Sequence, residues 1–316
     1  MSSIFTVSIF QSALELGLIY ALVALALFIS FTILNIADLT TDGCFTLGCA
    51  VAAMVTLSGH PFLALFVAMV TGALAGFVTA ILQTKLGVES ILAGIIVNTG
   101  LYTINLAVMG FSSQTNIFAK DTVFSLAKNS LGNTIVDSWY RVIIVVVIVG
   151  IIAIALWWFL GTKLGMSIRA TGDNADMVKS SSINPTFTIT VGLCLANSLT
   201  GLSGALIAQY QKSADINIGT GMVTIALASL IIGQTLIGNK GSIIRRILGT
   251  ILGSVLYRFI VAIALRLSVP AEALKLVSAL IVAIAIAAPY VKTKLALKKR
   301  ELANYRARNI KEANNA

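Results

Sequence analysis

The feature that most constrains this chain is a succession of long segments without Asp, Glu, Lys or Arg. The longest of them, residues 43–84, continues for 42 residues. In a bilayer the backbone must satisfy its own hydrogen bonds, so a spanning helix needs ~20 mostly apolar residues. Residues 43–84 therefore hold two such helices, broken at residues 58–61. This pattern predicts an all-α fold, a polytopic bundle of membrane helices.

Counting these segments along the sequence predicts about nine spans. The composition agrees, because 58% of the residues are hydrophobic and 11% are charged, whereas charged residues make up about 25% of a soluble domain. The segment after Gly43 is rich in glycine and short enough to be a partial or broken helix. The predicted spans are residues 16–37, the two halves of 43–84, 90 to about 110, 142–162, 180–211, 216–239, 243–267 and 270–291.

Residues 161–185 form the one long polar passage between two strongly apolar regions. Asp173, Asn174 and Asp176 suit the start of a helix, where carboxylate and amide oxygens accept hydrogen bonds from free N–H groups. Residues 175–182 would then form about two helical turns. Such a segment could transmit force from a bound partner. An ordinary loop with a capped turn fits the same residues.

Several motifs give the chain a family resemblance. They are Gly-x-x-x-Arg-Ala-x-Gly-x-Asn from Gly165 to Asn174, Ile-Asn-Pro at 183–185, small residues at 199–205, Leu-Asn-Ile-Ala-Asp-Leu-Thr-Thr-Asp-Gly at 34–43 and Ala-Gln-Tyr-Gln at 208–211. With them the chain resembles, almost end to end, the permease subunits of ATP-binding-cassette (ABC) importers of the branched-chain amino acid and ribose class. The details most resemble the bacterial subgroup that works with lipoprotein receptors for tryptophan or tyrosine.

This resemblance implies how the chain is organised. Residues 1–291 are expected to form the transmembrane permease domain, in which residues 161–184 are a cytoplasmic coupling loop and residues 111–139 an outer loop. The coupling loop would sit in a groove of the ATPase, and the outer loop has the composition of a short amphipathic helix. Residues 292–316 would form a basic cytoplasmic tail at anionic lipid. The coupling residues implied by the motif are Arg169, Ala170, Gly172, Asn174, Ala175, Met177 and Val178.

The resemblance also implies partners and a substrate. The partners are two cytoplasmic ATPase subunits, an extracellular substrate-binding lipoprotein and a second copy of this chain, which is long enough for only one half of an importer. The substrate is an amino acid, with tryptophan or tyrosine first. Branched-chain amino acids, sugars and nucleosides are the alternatives within the class. The expected location is the bacterial plasma membrane, with the C-terminus in the cytoplasm.

The sequence lacks the groups that an ATP-hydrolysing enzyme needs. The nearest approach to a phosphate-binding loop is Gly233–Lys240, where Asn239 stands in the place of the essential lysine. We therefore expect no enzyme activity and no cofactor on this chain, with ATP and magnesium on the partner. Three cysteines in apolar segments and a single histidine, His60, favour packing over a zinc site. The net charge of +10 gathers in short loops and the tail, which is not the pattern of a nucleic-acid interface.

The distribution of ionisable residues opposes a carrier that works alone. Ion-coupled transporters place ionisable side chains in the bilayer interior, whereas here the acids fall at predicted span ends and only Arg258 lies deep. An externally powered translocator is therefore preferred to an ion- or proton-coupled carrier or a structural membrane scaffold. Amides and one aromatic residue then become candidates for the path, although amides also hold helices together. The candidates are Asn98, Tyr102, Asn105, Asn197, Gln209 and Gln234.

Orientation and internal symmetry complete the prediction. If residues 161–184 are cytoplasmic, 15 basic residues lie on the inner side and six on the outer side, as the positive-inside rule requires. The glycine spacing shows a weak internal repeat. Gly72 follows Gly43 after 29 residues, and Gly249 follows Gly221 after 28 residues. Five crossings separate the two copies, so the sequence predicts a weak inverted repeat.

Overall fold

The computed structural model describes residues 7–131, 139–238 and 241–266, together with isolated positions between 276 and 298. The continuous ranges contain eleven α-helices and one pair of short strands. Helix α1 continues directly into a π-helix, Phe28–Ile33. The helices are α1 (Val7–Leu27), α2 (Thr41–Leu57), α3 (Pro61–Thr84), α4 (Ser90–Val108), α5 (Val123–Leu131), α6 (Tyr140–Gly161), α7 (Lys163–Asp173), α8 (Ala175–Ser180), α9 (Pro185–Gln211), α10 (Met222–Ile237) and α11 (Ile243–Arg266), and the strands are β1 (Gln114–Asn116) and β2 (Ser213–Asp215).

Six of the described helices are long and apolar enough to cross a bilayer, while α2 and α10 are apolar but shorter. These eight helices coincide with the first eight predicted spans, which confirms a polytopic helical membrane protein. The ninth predicted span and the tail, 292–316, lie outside the three continuous ranges, so the count of nine stays a prediction. The six long spans are Ile9–Ile33, Pro61–Thr84, Ser90–Val108, Tyr140–Gly161, Pro185–Gln211 and Ile243–Leu265.

Helices α1 and α9 form the centre of the bundle. In each, 83% of the apolar window is buried, against 22% in α6 and 28% in α4. Small residues let neighbouring helices approach α9 closely. A Cβ atom added to Gly48 of α2 would overlap the backbone of Gly201, and one added to Gly72 of α3 would overlap the backbone of Asn197. Glycine is therefore required where α2 and α3 cross α9.

Two triplets of consecutive helices, α1–α2–α3 and α9–α10–α11, correspond to each other. Helices α2 and α3 contain 17 and 24 residues, and α10 and α11 contain 16 and 24. Helices α2 and α3 pack against α9, whereas α10 and α11 pack against α1. Two helices of each triplet thus pack against the first helix of the other triplet. The arrangement agrees with the repeat that the glycine spacing predicts.

Helix α2 begins near the middle of the bundle. After the π-helix the backbone turns at Asn35, whose φ is 57°, and residues 36–40 are irregular. Asn197 Nδ2 donates to Asp38 Oδ2 at 2.7 Å, and Cys44 Sγ donates to the Asn197 carbonyl oxygen at 3.3 Å. Asn197 is the thirteenth of the 27 residues of α9. Helix α2 therefore begins beside the middle of α9, which agrees with a partial or broken helix after Gly43.

Helix α10 begins in the same layer and runs the other way. The N–H groups of Gly221 and Val223 each donate to the carboxylate of Asp42, in the first turn of α2, at 2.9 Å. From this layer α2 runs beside α9 until Thr56 contacts Gln209. Helix α10 instead runs towards the π-helix. The sequence predicted one span within residues 216–239, and its helix occupies Met222–Ile237.

The two ends of the bundle carry different elements. At the end that we name the strand end, β1 pairs antiparallel with β2, with Gln114 opposite Asp215. Helix α5 lies here, with Val123 and Phe124 buried, and it is the short helix predicted for residues 111–139. The strand pair was not predicted. The opposite end, which we name the coupling end, carries α7 and α8.

Candidate functional site

A polar pocket lies where the first turn of α2, the chain before α10 and the side of α4 meet. We name it the central pocket, because it contains Asp42 and lies near the middle of the bundle. Its volume is about 260 Å³. Its lining residues are Asp42, Gly43, Thr46, Asn98, Thr99, Tyr102, Asn105, Ile216, Asn217 and Thr220.

One wall of the central pocket is the helix face that the sequence singled out. Asn98, Tyr102 and Asn105 follow one another at spacings of four and three, which places them on one side of α4. All three line the pocket. Tyr102 is 51% exposed and Asn105 is 1% exposed. The wall therefore extends from an open aromatic ring to a buried amide.

Asn105 has one hydrogen-bonding atom without a partner. Its Nδ2 donates to the carbonyl oxygen of Gly43 at 3.1 Å. This bond fixes the orientation of the amide, because only its N–H group can donate to a carbonyl. The Oδ1 atom is then buried without a hydrogen bond. Such an oxygen costs about 1–3 kcal/mol, so an entering donor would be favoured there.

Asp42 carries the one charge among the described residues that line the central pocket. Its two carboxylate oxygens hold the first N–H groups of α10, and the residue itself belongs to the first turn of α2. The N-terminus of a helix carries about +0.5 of an elementary charge. Two such ends stabilise the carboxylate and offset part of its charge. The pocket therefore keeps one negative group that is already held by backbone N–H groups.

The other three predicted path residues do not line the central pocket. Asn197 is 1% exposed and donates to Asp38. Gln209 is 1% exposed and donates to the carbonyl oxygen of Pro61 at 2.8 Å. Gln234 donates to a threonine of the π-helix at 3.1 Å. Each amide joins two elements in this structure, and their role in a path stays a prediction.

Two acids that the sequence placed at span ends are buried in the bundle. Asp38 is 3% exposed and Glu15 is 2% exposed. Their hydrogen-bond donors are neutral, since Asn197 donates to Asp38 and Tyr210 donates to Glu15 at 2.8 Å. Sequence reasoning missed Asp38 and Asp42 as interior residues. The signal that could have found them is a pair of acids in a short segment that lies between two apolar stretches and ends at Gly43.

The cysteines serve packing where the structure describes them. Cys44 and Cys49 are fully buried in α2, and Cys49 Sγ donates to the carbonyl oxygen of Gly204 at 2.9 Å. Within the described residues, no three His, Cys, Asp or Glu side chains are grouped so that they could hold a metal ion.

Helices α7 and α8 form a compact pair at the coupling end. Asn174 separates them, and its Oδ1 accepts from the N–H groups of Asp176 at 3.1 Å and Met177 at 3.0 Å. The predicted capped helix after residue 174 is therefore confirmed, as Ala175–Ser180. Helix α7, which precedes it, was not predicted.

The predicted coupling residues occupy both faces of this pair. Met177 is an apolar side chain with 67% exposure, whereas Val178 is 4% exposed. Helix α8 therefore packs on the bundle with the side that carries Val178, and its other side, with Met177, is exposed. Arg169, Asn174 and Met177 are exposed, Ala170, Gly172 and Ala175 are half-buried, and Val178 is buried.

Helix α7 contacts the end of the π-helix directly. A Cβ atom on Gly172 would overlap the carbonyl oxygen of Ile33 and lie 2.9 Å from the Cα atom of Leu34. The hydroxyl groups of Thr171 and Thr188 share a hydrogen bond of 2.8 Å, which ties α7 to α9. A displacement of α7 therefore acts on the start of the irregular segment that leads to Asp42.

Comparison of the sequence with known proteins identifies a family that this chain matches. Residues 9–289 match the family model described as branched-chain amino acid transport system, permease component. The chain is 34% identical to the tyrosine transport system permease protein of Clostridioides difficile (strain R20291) over 272 residues, which cover 86% of this chain and 88% of that protein.

Sugar permeases are also similar to this chain. The ribose import permease protein RbsC of Escherichia coli (strain K12) is 29% identical over 226 residues, covering 71% of this chain and 67% of the relative. The D-allose transport system permease protein AlsC of the same strain is 29% identical over 217 residues, covering 67% of this chain and 63% of the relative. No solved structure matches the chain significantly.

Proposed function

Because this chain belongs to the family of permease components of branched-chain amino acid transport systems, we propose that it imports an amino acid, with tyrosine or tryptophan as the substrate. It is a permease of an ABC-type importer and not an enzyme, since its relatives are permease subunits and the ATPase is a separate partner. A relative that matches 86% of this chain is named for tyrosine transport, which supports an aromatic amino acid.

The central pocket is the observation that carries this proposal. It is polar, lies near the middle of the bundle and is bounded by two helices that begin there, α2 and α10. Transporters commonly bind substrates at the bilayer midplane between broken helices of inverted repeats. The face of Asn98, Tyr102 and Asn105 offers amide groups and an aromatic ring to an aromatic zwitterion. These three residues are the proposed wall of the path.

Coupling to the ATPase is proposed for α7 and α8, within residues 161–184. The exposed residues Arg169 and Met177 would contact the ATPase, while Gly172 passes its motion to Ile33. Closure of the ATPase pair would then move the end of α1 and the segment before α2. This would open the central pocket to one side of the membrane at a time.

We also propose that two copies of the chain surround one path. An apolar groove of about 580 Å³ lies between α2, α3 and α4, beside the central pocket. Its walls include exposed Leu74, Val78 and Ile104. A second copy seated there would cover these residues. Native mass spectrometry of the purified permease should detect the dimer, and a monomer alone would contradict it.

A coupling end in the cytoplasm also assigns the other parts of the chain to a side of the membrane. Residues 1–291 are the permease domain in the bacterial plasma membrane, with the coupling end in the cytoplasm. The strand end, with residues 111–139, then faces the receptor lipoprotein. Helix α1 begins at the strand end, where Glu15 meets Tyr210, so the N-terminus lies outside. The basic tail, 292–316, is cytoplasmic.

A neutral sugar is the second candidate substrate. The ribose and D-allose permeases among the relatives favour it, and so does a lining in which most polar groups are uncharged. Branched-chain amino acids are a further alternative that the family description supports. Uptake measurements separate these substrates.

The test is ATP-driven uptake in vesicles that contain the chain, its ATPase and a receptor. Labelled tyrosine, tryptophan, leucine and ribose are supplied outside, and ATP or a non-hydrolysable analogue inside. We expect uptake of an aromatic amino acid with ATP only. Uptake of ribose alone would reject the proposed substrate, and uptake driven by a proton gradient through this chain alone would reject the class of transporter.

A further inference from the structure

We infer that the central pocket binds the ammonium group of a solute through Asp42 and Asn105, so that the permease itself favours amino compounds over neutral sugars. This inference rests on the proposed path through the central pocket. It adds a choice of chemistry made in the membrane, separate from the choice made by the receptor.

The first observation is the acceptor that Asn105 leaves unused. The residue is 1% exposed and lines the pocket, its Nδ2 is engaged by Gly43, and its Oδ1 has no partner. A buried acceptor in a cavity wall calls for a donor from the solute. An ammonium group supplies three donors and no acceptor.

The second observation is the charge of the lining. Asp42 contributes a carboxylate, and the described lining residues include no Lys, Arg or His. A cationic group can therefore approach without repulsion, whereas an anion without an ammonium group meets a carboxylate and an unpaired carbonyl oxygen. The pocket discriminates by charge as well as by hydrogen bonding.

The third observation explains why binding would be weak enough for passage. Gly221 and Val223 already donate to Asp42, so part of its charge is offset by the N-terminus of α10. The ammonium group would share the carboxylate with these N–H groups instead of forming an isolated ion pair. A solute is thus recognised but not retained.

Binding to the purified full-length chain in nanodiscs tests the inference. The probe is radiolabelled tyramine, which has the ring and the ammonium group but no carboxylate. Tyrosine should compete with it, whereas N-acetyltyrosine, which lacks the ammonium group, and ribose should not. No tyramine binding, or equal competition by N-acetyltyrosine, would overturn the inference.

Two variants assign the acceptors. Asp42→Asn and Asn105→Ala should each weaken tyramine binding about tenfold or more, as expected for loss of a hydrogen bond to a charged group. Glu89→Gln is the matched control, because Glu89 is an exposed acid at the other end of the same helix, α4. Each variant is first compared with the parent in thermal unfolding, and Asn105→Ala decides the outcome if Asp42→Asn does not fold. Unchanged binding in a folded Asn105→Ala variant would overturn the assignment.

The outcome is separable from that of the proposed function. Tyramine binding that depends on Asp42 and Asn105, without ATP-driven uptake of any amino acid, would reject the proposed substrate and leave the ammonium site standing. ATP-driven uptake of an aromatic amino acid, together with tyramine binding that both substitutions leave unchanged, would reject the ammonium site and support the proposed substrate.

Discussion

At the scale of single residues, Gly172 makes a close backbone contact between the coupling end and the membrane bundle. Its Cα atom approaches the backbone of Ile33 so closely that a methyl group would overlap the carbonyl oxygen. The motif contains Gly at this position, and the structure supplies the steric reason. Sequence reasoning identified the residue but not what it touches, because the contact joins parts of the chain far apart in sequence.

We predict that Gly172→Ala reduces ATP-driven uptake about tenfold or more while the protein still folds. The added Cβ must displace α7 or the end of the π-helix, and a misplacement of about 1 Å can lower the rate of an enzyme by up to about 100-fold. Gly150→Ala is the control, because a Cβ there meets nothing within 4 Å. Equal uptake by both variants would show that the contact does not transmit motion.

A second prediction concerns Asn197. Replacing it by Ala removes the donor to Asp38 Oδ2, while Oδ1 keeps the Thr40 N–H group. The lost hydrogen bond to a buried charged group should destabilise the protein by about 2 kcal/mol. Thermal unfolding in detergent measures the loss. Ser198→Ala is the control, since the hydroxyl group of Ser198 bonds only to the carbonyl oxygen of Leu195 in its own helix. Similar losses in both would argue against a special role for the Asn197–Asp38 bond.

At the scale of elements, hydropathy predicted eight helices well but not their depth. A window without charges shows that a segment can lie in a membrane, and it does not show where the helix starts. Helices α2 and α10 therefore read as spans, although each begins near the middle of the bundle. The β1–β2 pair escaped prediction because its strands are three residues long and distant in sequence. The wall of Asn98, Tyr102 and Asn105 was predictable, because a single helix fixes its spacing.

For helix α8 we predict an effect of its cap. Asn174→Ala removes the acceptor for two N–H groups and should cost about 1 kcal/mol, which loosens a six-residue helix. Stimulation of the ATPase by receptor should fall, while tyramine binding to the permease stays unchanged. Asn174→Asp keeps an acceptor and should restore stimulation. Failure of Asp to restore it would assign Asn174 a direct contact with the ATPase instead.

At the scale of the whole molecule, the two triplets of helices, α1–α2–α3 and α9–α10–α11, interlock around the central pocket. Helices α2 and α3 pack on α9, and α10 and α11 pack on α1, so a movement of one triplet against the other would also move α2 and α10. Both of these helices begin at the central pocket. A rocking movement of one triplet against the other would therefore change access to the central pocket.

This predicts that access to Thr99 depends on the nucleotide. Thr99 is an exposed lining residue of the central pocket, and Thr99→Cys should react with a water-soluble thiol reagent at rates that differ about tenfold between ATP-bound and nucleotide-free complexes. Cys44 and Cys49 are buried, and half-buried Cys194 is replaced by Ala. Ser58→Cys, exposed at the strand end, should react at a constant rate. Equal rates at position 99 would contradict alternating access there.

The π-helix at Phe28–Ile33 gives the junction a way to change register. Its wider turn is closed by bonds such as Leu34 N–H to the Ile29 carbonyl oxygen at 2.9 Å, five residues apart instead of four. If this stretch tightened into ordinary α-helix, the chain beyond it would swing by about 100° and shift by about 1.5 Å for each residue taken up. Asp38 would then lose its place beside Asn197. A change of one residue in the winding at the C-terminal end of α1 would therefore move the segment that leads to Asp42.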